Sequence, residues 1–228
     1  MQPYIFPYLS YFQLVNKVDT FVFCDDVNFI KGGWIHRNRI LLNDEAYFIS
    51  FPLHKASQNK WIKDLNIKTE SKEFLKILPT IRQAYFRAPN FNVIYPIIEG
   101  LITKGSSNLS VFASETVMAF ADYLNMETQF LFSSKSFLHT KGQEKSERLI
   151  NIAKELGANT YLNPIGGQEI YNKTYFENNG VHLGFLKTGN YSYQQMNNDF
   201  IADLSMIDVL MFNNKEAAKK MLLNCEII

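Results

Sequence analysis

Short apolar runs rich in β-branched and aromatic residues alternate along this chain with segments of helical periodicity. Thr20–Cys24 is a run of the first kind and is closed by Asp25 and Asp26, a pattern typical of a buried parallel strand leaving the core. Leu9–Lys17 before it and Gln143–Leu156 much later have apolar residues at helical spacing. This alternation predicts an α/β fold with a mostly parallel sheet flanked by helices.

The same two periodicities predict the other elements. Further strands are expected at His36–Leu42, Ala46–Phe51, Trp61–Ile67, Thr128–Phe132, Thr160–Leu162 and Val181–Leu186. Further helices are expected at Ser71–Phe86 (kinked at Pro79), Asn90–Thr103, Asn108–Leu124, Gln168–Glu177, Leu204–Phe212 and Lys215–Leu223. Asn43-Asp44 is a hairpin turn in this scheme.

The length of 228 residues favours one domain. We predict a single α/β domain over 1–228, with a helical insertion or subdomain at about 70–126. Hydrophobic residues at 46% and charged residues at 20% exclude a disordered or fibrous chain. The net charge of +1 supplies no global field for nucleic acid, so no DNA partner is expected.

Two cysteines without metal or disulfide spacing, and no long apolar run, predict a cytoplasmic protein without a membrane span. No secretory signal pattern is present at the start. The chain opens directly on Gln2-Pro3, so we expect any strand before the first helix to be very short or to lack its beginning. The sequence gives no indication of the oligomeric state.

Two candidate sites lie near the start of the chain. Gln2, Pro7 and Tyr8 belong to a stiff aromatic loop that feeds a helix, which suits a phosphate or carboxylate, or is simply a packed corner. Asp25 and Asp26 follow a strand, where α/β sheets place their ligands. They suit Mg²⁺ bound with a nucleotide, or they cap a turn.

The third candidate is the strand His36–Ile40. Its alternation places His36 and Asn38 on one face and Arg37 with Arg39 on the other. Two neighbouring guanidinium groups form a fork for phosphate or carboxylate. The alternative is a solvated strand face.

Two later segments are weaker candidates. Lys145 and Arg148 share one side of a predicted helix, which gives either an anion pocket or ordinary surface charge pairing. Asn163, Gly166 and Gly167 form a strand–loop–helix junction that permits close backbone approach to a ligand. The four histidines lack metal-ligand spacing, so we assign no metal site to side chains alone.

Several uncommon motifs occur in order along nearly the whole chain. They are Gln2-Pro3-Tyr4-x-Phe6-Pro7-Tyr8-x-x-Tyr11-Phe12, Asp19-x-Phe21-Val22, Asp25-Asp26-Val27, Gly33-Trp34-Ile35-x-Arg37-Asn38-Arg39-Ile40, Ser146-Glu147-Arg148-Leu149, Gly157-Ala158-x-x-Tyr161-Leu162 and Leu204-Ser205-x-x-Asp208. In these motifs the chain resembles the WbqC-like protein family. Where the family favours Asn and Gly, this chain has His36 and Ser10.

The resemblance implies a role in bacterial surface polysaccharide, because members are similar to proteins encoded among O-antigen (lipopolysaccharide) genes. A glycine transferase role has been suggested for such members. The aromatic-proline turn, the helix and the Asp-terminated strand also look like the Rossmann-like start of a nucleotidylyltransferase, although the His-x-x-His motif of that fold is lacking.

We therefore expect a transferase that moves an acyl or aminoacyl group, such as glycyl, to a nucleotide-linked amino sugar or other small phosphorylated substrate. A nucleotidylyltransferase and a non-catalytic nucleotide-sugar- or glycan-binding protein are the alternatives. The predicted catalytic residues are Asp25, Asp26 and His36. The predicted substrate-binding residues are Gln2, Pro7, Tyr8, Arg37, Asn38, Arg39, Lys145, Glu147, Arg148, Asn163, Gly166 and Gly167.

Overall fold

The computed structural model describes residues 1–196 and 199–228. Within those ranges the strands are β1 (Thr20–Phe23), β2 (Arg37–Leu42), β3 (Glu45–Ser50), β4 (Gln129–Phe132), β5 (Thr160–Pro164), β6 (His182–Thr188) and β7 (Cys225–Ile227). The helices are α1 (Leu9–Asn16), α2 (Lys72–Tyr85), α3 (Phe91–Lys104), α4 (Leu109–Tyr123), α5 (Ser133–Ser136), α6 (Lys145–Glu155), α7 (Lys173–Asn178), α8 (Met206–Phe212) and α9 (Lys215–Leu223).

The mixed α/β character predicted from the sequence is confirmed, but one continuous parallel sheet is not formed. In the described residues, β1 pairs with β4 in parallel, β2 pairs with β3 as an antiparallel hairpin, and β5 pairs with β6 in parallel while β7 joins β6 antiparallel. The hairpin turn is Asn43-Asp44, with φ of 52° and 62°, as the sequence predicts for a two-residue turn. The expectation of one sheet fails because β1 and β5 do not pair with each other.

Two predicted elements are wrong in kind. Trp61–Ile67 is not a strand, because its backbone bonds to several different segments, and a short 3-10 turn occupies Ile62–Asp64. The predicted helix Gln168–Glu177 is interrupted. A 3-10 turn covers Ile165–Glu169, and α7 begins afresh where the Asn172 side chain accepts a hydrogen bond from the Tyr175 N–H.

Aromatic side chains hold most of the elements in one main core. Phe6 lies 6.2 Å from Phe51 and 5.7 Å from Phe120, ring centre to ring centre, so the N-terminal loop, the end of the hairpin and α4 share a single cluster. A second, smaller core contains Ile150, Ala153, Phe176, Val181, Leu183 and Phe185. No helix in the described part of the chain is long and apolar enough to cross a membrane.

The first residue lies alongside β1. The Met1 amine donates to the Val22 carbonyl at 2.8 Å, and the Met1 carbonyl accepts from the Cys24 N–H at 2.7 Å. This is the hydrogen-bond pattern of one position in a parallel strand pair. Gln2 therefore leaves the sheet at the same end as Asp25.

Candidate functional site

Asp25 and Asp26 lie where β1 ends, beside the end of its parallel partner β4. Both residues are only 3% exposed. The Ser134 hydroxyl donates to Asp25 Oδ2 at 2.7 Å, and the Ser134 N–H donates to Asp25 Oδ1 at 3.0 Å. The Ser133 hydroxyl donates to Asp26 Oδ1 at 2.5 Å. The first turn of α5 thus donates hydrogen bonds to both carboxylates, and a buried charged group needs such partners.

Arg148 completes this group of side chains. Its Nη2 donates to Asp26 Oδ2 at 2.7 Å, and its Nε donates to the Thr140 hydroxyl at 3.1 Å. The sequence positions it there because Glu144 caps α6 by accepting from the Ser146 N–H, so that Arg148 lies on the first turn. We call Asp25, Asp26, Ser133, Ser134 and Arg148 the carboxylate cluster.

The carboxylate cluster brings together three residues that the sequence singles out, Asp25, Asp26 and Arg148. Its side chains fit Mg²⁺ poorly, because Arg148 already occupies an oxygen of Asp26 that a cation would need. In residues 1–196 and 199–228, no three acidic, His or Cys side chains are grouped to hold a metal ion. The cluster instead offers a hydroxyl, that of half-buried Ser134, hydrogen-bonded to a carboxylate.

Arg37 and Arg39 lie on a second surface, formed with aromatic rings. Arg37 lies 4.8 Å from the centre of the Phe48 ring, and Arg39 lies 5.5 Å from that of Trp34. The Arg37 guanidinium donates to the carbonyls of Gly32 and Gly33. Arg37 therefore holds its own loop in place, and fewer of its N–H groups are available to bind a ligand.

Arg39 keeps more of its donors available. Its Nη2 donates to the Asp203 carbonyl at 3.0 Å, while its buried Nε has no partner in the described residues. Tyr8 meets Trp34 edge to face at 6.3 Å. Burial raises the pKa of the Tyr8 hydroxyl, and nearby Asp203 raises it further. We call Tyr8, Trp34, Arg37, Arg39 and Phe48 the aromatic–arginine face.

His36, directly before β2, and Asn38 within it lie on the opposite face from the two arginines, as the alternation predicts. The His36 ring lies 5.2 Å from that of Phe29. Burial lowers the pKa of His36, and Arg37 lowers it further. The Asn38 Oδ1 accepts the Arg39 N–H at 2.8 Å. The buried His36 Nδ1 and Asn38 Nδ2 have no hydrogen-bond partner among the described residues.

The other predicted binding residues are divided between packing roles and the surface. Pro7 and Gln2 use their carbonyls within the fold, accepting from the Met206 N–H and the Tyr11 hydroxyl. Lys145 and Glu147 are exposed and make no side-chain bond to the carboxylate cluster in the described chain. They lie on the same helix as Arg148, pointing outward.

The junction after β5 is shaped by its own side chains. Asn163 donates to the Tyr161 hydroxyl at 2.8 Å. A side chain at Gly167 would strike the Asn163 amide, which would have to move away from its present position, whereas Gly166 faces open space. Among the described contacts, none joins this junction or the aromatic–arginine face to the carboxylate cluster.

Sequence reasoning misses several residues at these places. Ser133 and Ser134 carry no motif, and only the expectation that parallel strands end at one edge could have indicated them. Lys141 has its Nζ 2.8 Å from the centre of the Trp61 ring, and the neighbouring Lys63 N–H donates to the Asp25 carbonyl. This cation–aromatic pair therefore borders the carboxylate cluster.

Comparison with known proteins agrees with the motifs. The model of the WbqC-like protein family matches residues 2–220. A protein of Mycobacterium tuberculosis, "Uncharacterized protein Rv1507c", is 24% identical over 225 residues, which cover 92% of this chain and 91% of that protein. No solved structure matches the chain. The family match spans nearly every element described above, and the chain therefore belongs to the WbqC-like protein family.

Proposed function

We propose that this protein is a cytoplasmic enzyme of surface-polysaccharide synthesis that transfers an acyl group, such as glycyl, to the amine of a nucleotide-linked amino sugar. One observation carries the proposal. A buried pair of aspartates is held beside Arg148 and a reachable serine hydroxyl, where β1 and β4 end. Strand ends of this kind are where α/β proteins bind their ligands.

The proposed acyl transfer requires a residue that accepts a proton from the sugar ammonium. The sugar ammonium first loses a proton, and its nitrogen then attacks the carbonyl carbon of an activated acyl donor. A C–N bond forms, and the bond from that carbon to the donor's leaving group breaks, with the leaving group taking the electron pair and the second proton that the nitrogen loses on becoming an amide. Asp25 is the acceptor we assign, reached through the Ser134 hydroxyl that donates to it.

Charge complementarity supports binding of a phosphorylated acceptor. Lys141 and Lys63 border the cluster, and the positively charged side chain of Arg148 remains 13% exposed. Arg39, whose buried Nε has no partner among the described residues, lies apart from this cluster and is the donor we assign to an anion on the aromatic–arginine face. Its ring neighbours Tyr8 and Trp34 suit stacking on a sugar or base. We assign His36 no step, because its ring packs against Phe29.

The test is a product assay by mass spectrometry. The purified chain is incubated with a panel of nucleoside-diphosphate amino sugars and activated glycyl or acyl thioesters. We expect a product heavier by the acyl group, and Ser134→Ala and Asp25→Asn should lower its rate by about a hundredfold or more. Lys154→Ala is the matched control, because Lys154 is exposed on the same helix as Arg148.

Thermal shifts separate the possible outcomes. Stabilisation by an amino-sugar nucleotide without a nucleoside triphosphate supports the transferase. A Mg²⁺-dependent shift with a triphosphate, accompanied by pyrophosphate release, would instead identify a nucleotidylyltransferase. No acylated product from any acceptor that stabilises the protein would contradict the proposal.

A non-catalytic binding protein is the second candidate. The observation that favours it is that the described chain itself supplies partners to both aspartates, as a purely structural cluster would. Saturable binding of a nucleotide sugar that survives Asp25→Asn and Ser134→Ala but is lost in Arg39→Ala would favour this candidate.

A further inference from the structure

The indole ring of Trp61 has two lysine side chains beside it that are distant from each other in the sequence. The Lys141 Nζ lies 2.8 Å from the ring centre, and the Lys63 Nζ lies 5.3 Å from it. Since both distances end at the same ring centre, the two nitrogens are at most about 8 Å apart. We call Trp61, Lys63 and Lys141 the lysine–tryptophan group.

Backbone hydrogen bonds hold the first part of this group against the chain that leaves β1. The Ile62 N–H donates to the Val27 carbonyl at 3.0 Å, and the Lys63 N–H donates to the Asp25 carbonyl at 3.0 Å. The half-buried Trp61 and Lys63 are therefore fixed next to the carboxylate cluster by main-chain contacts.

Lys141 comes to the same ring from the turn that precedes α6. Its N–H donates to the Leu138 carbonyl at 3.1 Å, and the preceding Thr140 is only 1% exposed. The Thr140 hydroxyl accepts from Arg148 Nε at 3.1 Å. The backbone of Lys141 is thus held one residue from a partner of Arg148, while its own side chain is exposed.

The charges at this place are not compensated by one another. Neither Lys63 nor Lys141 forms an ion pair with an acidic side chain in the described part of the chain. The Asp25 carboxylate accepts from the two serines of the carboxylate cluster. The ion pair of that cluster joins Arg148 to Asp26 instead. Two ammonium groups and one carboxylate are therefore neighbours that the protein, in its described residues, leaves without a charged partner.

A ligand with a positive group and two phosphates matches this pattern of charges. Lysine binds phosphate oxygens as a point charge, and a hydrogen bond between charged groups is roughly twice as strong as one between neutral groups. Two separate ammonium groups suit a diphosphate, which offers oxygens on two phosphorus atoms. The Trp61 ring attracts cations through its quadrupole, so it holds both ammonium groups near each other before the anion binds.

We propose that Lys63 and Lys141 bind the diphosphate group of the acceptor. This inference rests on the proposed function, because that function supplies an amino sugar linked to a nucleotide, with its ammonium group at Asp25. It goes further by assigning the two phosphates to one pair of lysines and not to the arginines of β2. After acylation the amine is a neutral amide, so the product keeps the diphosphate contacts and loses its attraction to Asp25.

Isothermal titration calorimetry with inorganic pyrophosphate tests this site. Protein and buffer are first passed over a chelating resin, so that metal-bound pyrophosphate does not contribute. We expect the native chain to bind pyrophosphate about tenfold more tightly than inorganic phosphate. Lys63→Gln and Lys141→Gln should each weaken pyrophosphate binding by about tenfold or more, whereas Lys141→Arg keeps the charge and should retain most of the affinity. Lys154→Gln removes the same charge from an exposed position of α6 and is the matched control.

The variants and the control decide the outcome together. Equal pyrophosphate affinities in the native chain, Lys63→Gln and Lys141→Gln would overturn the site, and so would an equally large loss in Lys154→Gln. Pyrophosphate binding needs no acyl donor, so the two proposals can fail separately. Binding without any acylated product would contradict the proposed activity alone. Acylated product formed with an unchanged KM for the acceptor in both lysine variants would contradict the diphosphate site alone.

Discussion

The buried carboxylate of Asp208 shows how a single polar side chain can connect several segments of this protein. Asp208 is fully buried and accepts from the Tyr85 and Tyr193 hydroxyls at 2.8 and 2.6 Å and from the Gln195 amide at 2.8 Å. Burial raises the pKa of its carboxyl, against the effect of these three donors. Two of these donors fix the segment 193–195 to α8, and Tyr85 ties α2 to the same carboxylate. This is a structural role for a residue that the sequence shows only as part of a family motif.

His36 gives a pH prediction at this scale. Its pKa is lowered in the folded protein by burial and then by Arg37. As the pH falls below the ordinary value of about 6.5, the unfolded chain takes up this proton first. The folded state is therefore destabilised between that value and the lowered pKa. We expect His36→Gln to lose less stability than the native chain between pH 7.5 and 5.5.

Urea unfolding at the two pH values is the measurement. The exposed His182→Gln variant is the control for the substitution itself. An identical loss of stability in all three proteins would show that His36 does not bind protons differently in the folded and unfolded states.

Between elements, the ion pair of Asp26 and Arg148 joins the end of β1 to α6. The Asp26 side chain is fully buried and that of Arg148 is 13% exposed. Removing one partner leaves a buried charge uncompensated, whereas removing both does not. The difference in stability between the single and the double variant therefore distinguishes an electrostatic interaction from packing alone.

We expect Arg148→Met to lower the free energy of unfolding by about 3 kcal/mol. The double variant Asp26→Asn/Arg148→Met should recover part of that loss, since no isolated charge remains. The measurement is a double-mutant cycle by urea denaturation. Strictly additive losses would mean that the two side chains do not interact.

At the scale of the whole molecule, a cavity of about 310 Å³ lies between β1 and β5, with residues of both the main core and the second core in its lining. The contacts across this cavity include α1 against β5 and the Asp26–Arg148 pair. Fewer apolar contacts make local opening easier. We expect the amides of α6 and α7 to exchange at a lower free energy of opening than those of α4.

Native-state hydrogen exchange in low urea measures this difference. Uniform protection of α4, α6 and α7 would show that the molecule opens only as one unit.

The sequence predicts local structure here better than long-range pairing. β1, β4, the hairpin and most helices follow from apolar periodicity and from turn residues such as Asn43-Asp44. Trp61–Ile67 misleads because alternating burial also arises in a segment whose backbone bonds to several partners in turn. Asp25, Asp26 and Arg148 meet as a group, while the arginines of β2 lie on another surface. The spacing of these residues along the chain cannot show which of them meet in the folded protein.

The two tryptophans give the protein its own optical reporters. Each indole ring lies against a cationic side chain, Trp34 against Arg39 and Trp61 against Lys141. A ligand anion that draws either cation away changes the emission of that ring alone. Replacing one tryptophan at a time by phenylalanine would therefore reveal, in a simple fluorescence titration, which of the two surfaces a candidate substrate touches first.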